Sequence, residues 1–212
     1  MHDTQPSRKS RSDKTKQNIL SAAESVFSQL GLYGARIDEI ASTAGVNKRM
    51  IYEYFGNKEE LYKTILERVY RRLTEYEEEF FGCADITDVC SAIHSIVRLY
   101  FTFLNENPSY VRMLMWENLN MGQFFDSMNM SDSRNPIKNA LHSILVRGQS
   151  QGVFRDSIDE KQFLMTLFAC PFNYFSNQYT MRRIMAAALT DAQEIEYRIQ
   201  FISELLLAYL RK

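Results

Sequence analysis

Lys48 and Arg49 stand side by side in GVNKRMIYEYFGNKEEL, residues 45–61, and Tyr52, Tyr54 and Phe55 follow them closely. A buried core helix has no use for adjacent cations in its first turn. A helix that enters a DNA major groove N-terminus first does, because that turn meets the base edges. Arg49 or Lys48 can then pair with guanine O6 and N7, Arg through a two-bonded fork. Tyr52, one turn on from Lys48, is in reach of a base or a phosphate, and Met50 offers an apolar contact to a thymine methyl. Asn47 joins this predicted contact set just ahead of the cations. Tyr54 is assigned toward phosphate and Phe55 to the core. Asn57 and Lys58 open the next helix, where backbone N–H groups and a lysine suit a DNA phosphate.

Such side chains need a rigid frame. IDEIASTAG and NKRMIYEYF read as two short helices joined at Gly45, the layout of a helix-turn-helix. Ala41 is small where the helices cross, and Gly45 can take the positive φ of the tight turn. Val46 and Ile51 are expected to pack inward, with Ile40 and Ala44 completing that face. Upstream, Ile19, Leu20, Ala23, Val26, Phe27 and Leu30 form one apolar stripe of a helix that stops at Gly31. Asn57 is expected to cap a long fourth helix, with Glu60 as its capping-box partner, running to about Phe80.

Beyond Gly82 the helical pattern restarts. An amphipathic helix ends at Asn107-Pro108, and Pro108 and Pro136 each follow an Asn as the first residue of a new helix. GQSQGVFRDSID reads as a loop or turn. Asp159 caps the helix that follows, which Pro171 should kink or restart. The last helix repeats Ile195, Ile199, Ile202, Leu206 and Tyr209. The reading is all-α with about nine helices and no convincing strand.

The 212 residues are 45% hydrophobic and 24% charged, with only four Pro and eight Gly, which fits a helical globular chain with a real core. Net charge is only −1, but residues 1–16 carry Arg8, Lys9, Arg11, Lys14 and Lys16 against Asp3 and Asp13, a net +3. They read as a basic, flexible arm attracted to polyanions. Cys83, Cys90 and Cys170 form no C-x-x-C pair, so neither a zinc site nor a disulfide framework is expected. No signal peptide and no membrane-length apolar run is present, which points to the cytoplasm.

Residues 19–66 resemble the N-terminal DNA-binding domain of TetR-family transcriptional regulators. The resemblance is carried by Ala22-Ala23, Phe27, Gly31, Ile40-Ala41, Ala44-Gly45-Val46, Tyr52, Tyr54-Phe55, Lys58 and Leu61. It implies a three-helix helix-turn-helix unit over 17–66 and a long connecting helix to about residue 80. It also implies a larger helical domain over 83–212 that binds a small-molecule effector and forms a homodimer through the last two helices. Many members carry Thr or Ser just before the second helix. Arg36 stands there in this chain; it cannot cap by accepting N–H bonds, but it can reach a phosphate. YFTFLNENPSYVRMLMWENL and RGQSQGVFRDSID also look like segments of family members.

In the second domain, His94, Phe101, Met113, Trp116, Glu117, Phe168 and Asn173 are the candidate effector contacts, drawn from an aromatic and Met-rich set that resembles the lining of an apolar cavity. The effector is expected to be mostly apolar or aromatic. The reading is a repressor released from a palindromic operator, with a ligand-independent DNA-binding protein as one alternative. The other alternative, an all-α enzyme, finds no support in the motifs. His2, His94 and His142 are the only histidines, and H-E-x-x-H, G-x-S-x-G and a phosphate-cradling glycine loop are absent. No cofactor and no metal are expected.

Overall fold

The computed structural model describes residues 8–83, 88–125, 136–186 and 188–212. Among them are ten helices: α1 (Arg8–Gly34), α2 (Ile37–Ala44), α3 (Lys48–Phe55), α4 (Lys58–Cys83), α5 (Val89–Glu106), α6 (Pro108–Leu119), α7 (Pro136–Ser150), α8 (Glu160–Ser176), α9 (Gln178–Met185) and α10 (Ala192–Leu210). The all-α expectation holds, with one helix more than the periodicity suggested. The chain divides into two compact units, one running to Arg71 and resuming at Arg112, the other covering 72–111 and the residues from 130 onward. The segment 112–125 therefore groups with the first unit, although a boundary at residue 83 would have assigned it to the second.

In the first unit, Ile19, Ala23 and Phe27 of α1, Ile40 of α2, and Leu61, Tyr62, Ile65 and Leu66 of α4 are fully buried. Each buried Ile, Leu or Phe among them contributes about 1.5–3 kcal/mol when removed from water. Phe27 meets Tyr62 edge to face at 5.2 Å. Gly31 does not end α1 but bends it, at φ 64° and ψ −178°. Two constraints demand glycine there: the positive φ, and the indole of Trp116, whose Cδ2 would lie 2.8 Å from a Cβ. Trp116 Nε1 donates to the Ser28 carbonyl at 3.3 Å, which fixes the ring over this bend.

Glu117, the next residue, is buried and accepts N–H bonds from Phe124 at 2.7 Å and Phe125 at 3.0 Å. The Tyr62 hydroxyl reaches its other carboxylate oxygen at 3.4 Å. Burial, reinforced by the Glu117 charge, pushes the Tyr62 phenol well above its usual value.

In the second unit α5 is the central helix and packs on α7, α8 and α10. Its buried residues, among them Ile93, Ile96, Val97, Tyr100, Phe101 and Leu104, cover most of its circumference, as befits a helix enclosed by neighbours. Asp88 caps it through the Cys90 N–H at 3.0 Å. Asp159 caps α8 through Gln162 N–H at 3.0 Å. Pro171 neither breaks nor restarts α8. Its ring is buried and its fixed φ suits a helix, so the break falls at Asn177 and creates α9. The stretch read as a loop from Gly148 is helical as far as Ser150. A Cβ on Gly148 would strike the Phe154 ring.

Candidate nucleic-acid interface

The helix-turn-helix is built as its residue types require. Gly45 takes φ 67° and ψ 34°, and its N–H closes onto the Ser42 carbonyl at 3.2 Å while Val46 N–H bonds Ala41 at 3.0 Å. Ile40, Ala41 and Ile51 are buried, and Val46 is half-buried. Asn47 caps α3, its side-chain oxygen accepting from Arg49 N–H at 2.9 Å. Asn57 does the same for α4 through Glu60 N–H at 2.9 Å. The reciprocal half of the predicted capping box is missing, because the Glu60 carboxylate bonds Lys63 at 2.9 Å instead.

With Ile51 anchored inside, α3 turns the opposite side outward. Arg49 is 85% exposed, and its Nε bonds Glu53 at 2.8 Å. Lys48 pairs with Asp38 of α2 at 3.0 Å, and this partner raises the Lys48 pKa above its usual value. Exposed ion pairs of this kind contribute little, so either cation can exchange its carboxylate for a phosphate or a base. Tyr52 is exposed and Met50 half-buried beside them. Arg36 occupies the N-cap position of α2 and makes no side-chain cap bond. Asp38 and Glu39 in the first turn of α2 supply negative charge at that helix end instead.

Two candidates are engaged within the protein. Lys58 Nζ donates to the Ala35 carbonyl at 3.1 Å, tying the start of α4 to the α1–α2 connection rather than reaching outward. Tyr54 is half-buried, with its hydroxyl 2.9 Å from Ser12 Oγ of α1. Phe55 is also only half-buried, with Lys16 Nζ 5.8 Å from its ring centroid.

The candidate effector residues do not form one set. Met113, Trp116 and Glu117 belong to the first unit, where Trp116 and Glu117 are spent on the α1 bend and on the turn after α6. His94, Phe101, Phe168 and Asn173 belong to the second. There Phe101 packs on Tyr174 and Phe175 at 5.5 and 5.9 Å, and Phe168 meets Tyr100 at 4.7 Å. His94 Nε2 lies 3.3 Å from an Arg98 guanidinium that also pairs with Glu196. Asn173 is exposed on α8.

A buried polar pair in that unit was not anticipated. Glu77 of α4 is 4% exposed and accepts the Tyr100 hydroxyl at 2.6 Å. Burial lifts its carboxyl to about 7, against the lowering effect of the Tyr100 and Ile137 hydrogen bonds. Glu77 lies in the run TEYEEEFF, where nothing distinguishes one glutamate from its solvated neighbours. Among the described residues no group of three or more His, Cys, Asp or Glu is placed to hold a metal, and no helix is long and apolar enough to cross a membrane. Cys83, Cys90 and Cys170 are free, and burial raises the Cys170 thiol, which disfavours the reactive thiolate.

Comparison with known proteins adds independent information. The family model described as "Bacterial regulatory proteins, tetR family" matches residues 19–65. The model described as "Tetracyclin repressor-like, C-terminal domain" matches residues 90–206. The chain is 35% identical over 207 residues to the HTH-type transcriptional repressor NicS of Pseudomonas putida, covering 97% of this chain and 96% of that one. It is 31% identical over 158 residues to the HTH-type transcriptional repressor SCO4008 of Streptomyces coelicolor, covering 74% and 76%. In fold it is similar to the transcriptional regulator FadR of Bacillus subtilis, solved in complex with stearoyl-CoA. That match has a TM-score of 0.65 at 18% identity and covers 92% of this chain and 98% of that one.

Proposed function

The chain belongs to the tetR family of bacterial regulatory proteins, and from that membership we propose that it is a homodimeric repressor that a small molecule releases from a palindromic operator. It is a DNA-binding transcriptional regulator, and its family is one of regulators rather than enzymes. The observation that carries the DNA reading is the two-sidedness of α3. Ile51 is buried at 1% exposure while Lys48, Arg49 and Tyr52 face solvent. Residues 17–66 form the DNA-binding domain, α4 is the connection, and the residues from 83 on, without the segment 112–125, supply effector binding and dimerisation.

Dimerisation is supported by a second stripe on α10. Ile195, Ile199, Ile202 and Leu206 are buried within the chain, where α10 packs on α5, and so cannot form a seam. Tyr197, Phe201 and Leu205, at four-residue spacing away from that face, are 48–68% exposed. Met165 of α8 is 57% exposed, with Phe172 half-exposed two turns on. We assign the two-fold seam to these faces of α8 and α10.

The effector is mostly apolar or aromatic. Phe101 and Phe168 remain candidates for contact with it; Met113, Trp116 and Glu117 do not. A FadR of this fold was solved with stearoyl-CoA, whose acyl chain is apolar, and this supports a fold that accommodates an apolar group.

DNase footprinting on genomic fragments tests the reading. Two recognition helices related by a two-fold axis should protect an inverted repeat with half-sites about 34 Å apart or a multiple of that. Protection of one asymmetric half-site would refute the dimeric operator complex.

A further inference from the structure

We propose that the first turns of α1 are a second DNA-contact element, a cationic extension locked to the recognition helix through Tyr54. The proposal rests on the DNA-binding reading above and adds residues to it. Ser12 Oγ lies 2.9 Å from Tyr54 Oη, and Lys16 Nζ sits over the Phe55 ring at 5.8 Å. Positions 12 and 16 are one turn apart, so a single face of α1 clasps two consecutive residues at the end of α3.

Arg68 of α4 holds a second flank of α1, bonding Gln17 at 3.0 Å and approaching Glu24 at 3.9 Å. The remaining flank carries Arg11, Lys14 and Asn18, all exposed. α1 continues past the clasp to Arg8. Residues 8–16 hold five cations, Arg8, Lys9, Arg11, Lys14 and Lys16, against the single carboxylate of Asp13, in a chain whose net charge is −1.

Charge segregated in this way has a polyanion as its partner, and the clasp ties it to the one helix that reads DNA. The extension supplies phosphate contacts, which add affinity and salt dependence without sequence preference. Tyr54 is therefore a positioning residue. Its hydroxyl holds the cationic turns in register with α3.

The experiment measures affinity by fluorescence anisotropy from 50 to 200 mM salt, on a duplex enriched from a random pool by the wild-type protein. Arg11→Gln with Lys14→Gln should make the salt slope shallower by about 1.8, so that affinity falls about tenfold less than in wild type across that range. Base preference should be unchanged. Tyr54→Phe keeps the ring beside Phe55 but removes the hydroxyl, and should also flatten the slope. In the Tyr54→Phe background the two charge substitutions should add less than they do in wild type.

A slope unchanged by Arg11→Gln with Lys14→Gln overturns the proposal, and because both residues are exposed this variant tests it without disturbing the core. Full additivity with Tyr54→Phe overturns the clasp. Failure of the wild-type protein to enrich any duplex overturns the DNA-binding reading itself, and the proposal with it.

Discussion

Replacing Glu77 with Gln should make this protein more stable, and only above acid pH. The carboxyl is 4% exposed and accepts from Tyr100 at 2.6 Å. Its pKa rises from an ordinary 4.5 to about 7, because burial disfavours the charged form more than the Tyr100 and Ile137 bonds favour it. The folded state thus binds this proton more tightly than the unfolded chain. Its contribution is fully present below pH 4.5, is lost as pH rises through 7, and is gone above that. At about 1.4 kcal/mol per pH unit between those two values, the loss is about 3 kcal/mol.

Gln has no proton to lose, and its amide oxygen can still accept from Tyr100. Urea unfolding of both proteins at pH 5 and pH 8, at one fixed protein concentration, isolates the effect, because all other titrations cancel in the difference between them. The stability of Glu77→Gln relative to wild type should rise by about 2–3 kcal/mol from pH 5 to pH 8. A relative stability that is the same at both pH values would refute the reasoning and show that Glu77 titrates as an ordinary solvated carboxylate.

Phe201→Glu places a charge on the exposed face of α10 without touching the buried one, and sedimentation should find a folded monomer with weakened operator binding. An unaltered dimer would move the seam elsewhere. Gly31→Ala forces a Cβ to 2.8 Å from the Trp116 ring at a backbone with φ 64°, and should cost about 1–3 kcal/mol with a shift in tryptophan emission. A thermal midpoint and emission spectrum like wild type would show that the bend relaxes freely. Arg49→Ala should relax preference at one base pair by about 1–3 kcal/mol and leave the melting temperature unchanged. Lys58→Ala should lower the melting temperature, because the Ala35 carbonyl loses its donor; equal melting of the two variants would contradict that division of roles.

Much of this architecture is written in local rules. The three- and four-residue spacing from Ile19 to Phe27, the αL glycine at 45, the Asn caps at 47 and 57 and the Asp cap at 159 act within a turn or two of themselves. A helix-turn-helix is assembled from such short-range decisions, so it could be recognised before any coordinates. Long-range packing decided the rest. α8 runs through Pro171 with its ring buried, although proline lacks the N–H that the helix would use there.

Both faces of α10 are apolar, and periodicity cannot distinguish which one turns inward. Only the packing of α10 on α5 shows that the Ile195–Leu206 stripe is core and the Tyr197–Leu205 stripe is exposed. Trp116 and Glu117 looked like cavity residues because they stand in an aromatic and Met-rich stretch. Their partners, the Ser28 carbonyl and the Phe124 and Phe125 amides, are set by how segment 112–125 folds back. Lys58 and Tyr54 carry groups able to bind phosphate, and the fold also gives each a partner inside the unit, the Ala35 carbonyl and the Ser12 hydroxyl. Residue type sets what a side chain can bond; the distance to the nearest competing partner, which depends on the tertiary fold, sets what it does bond.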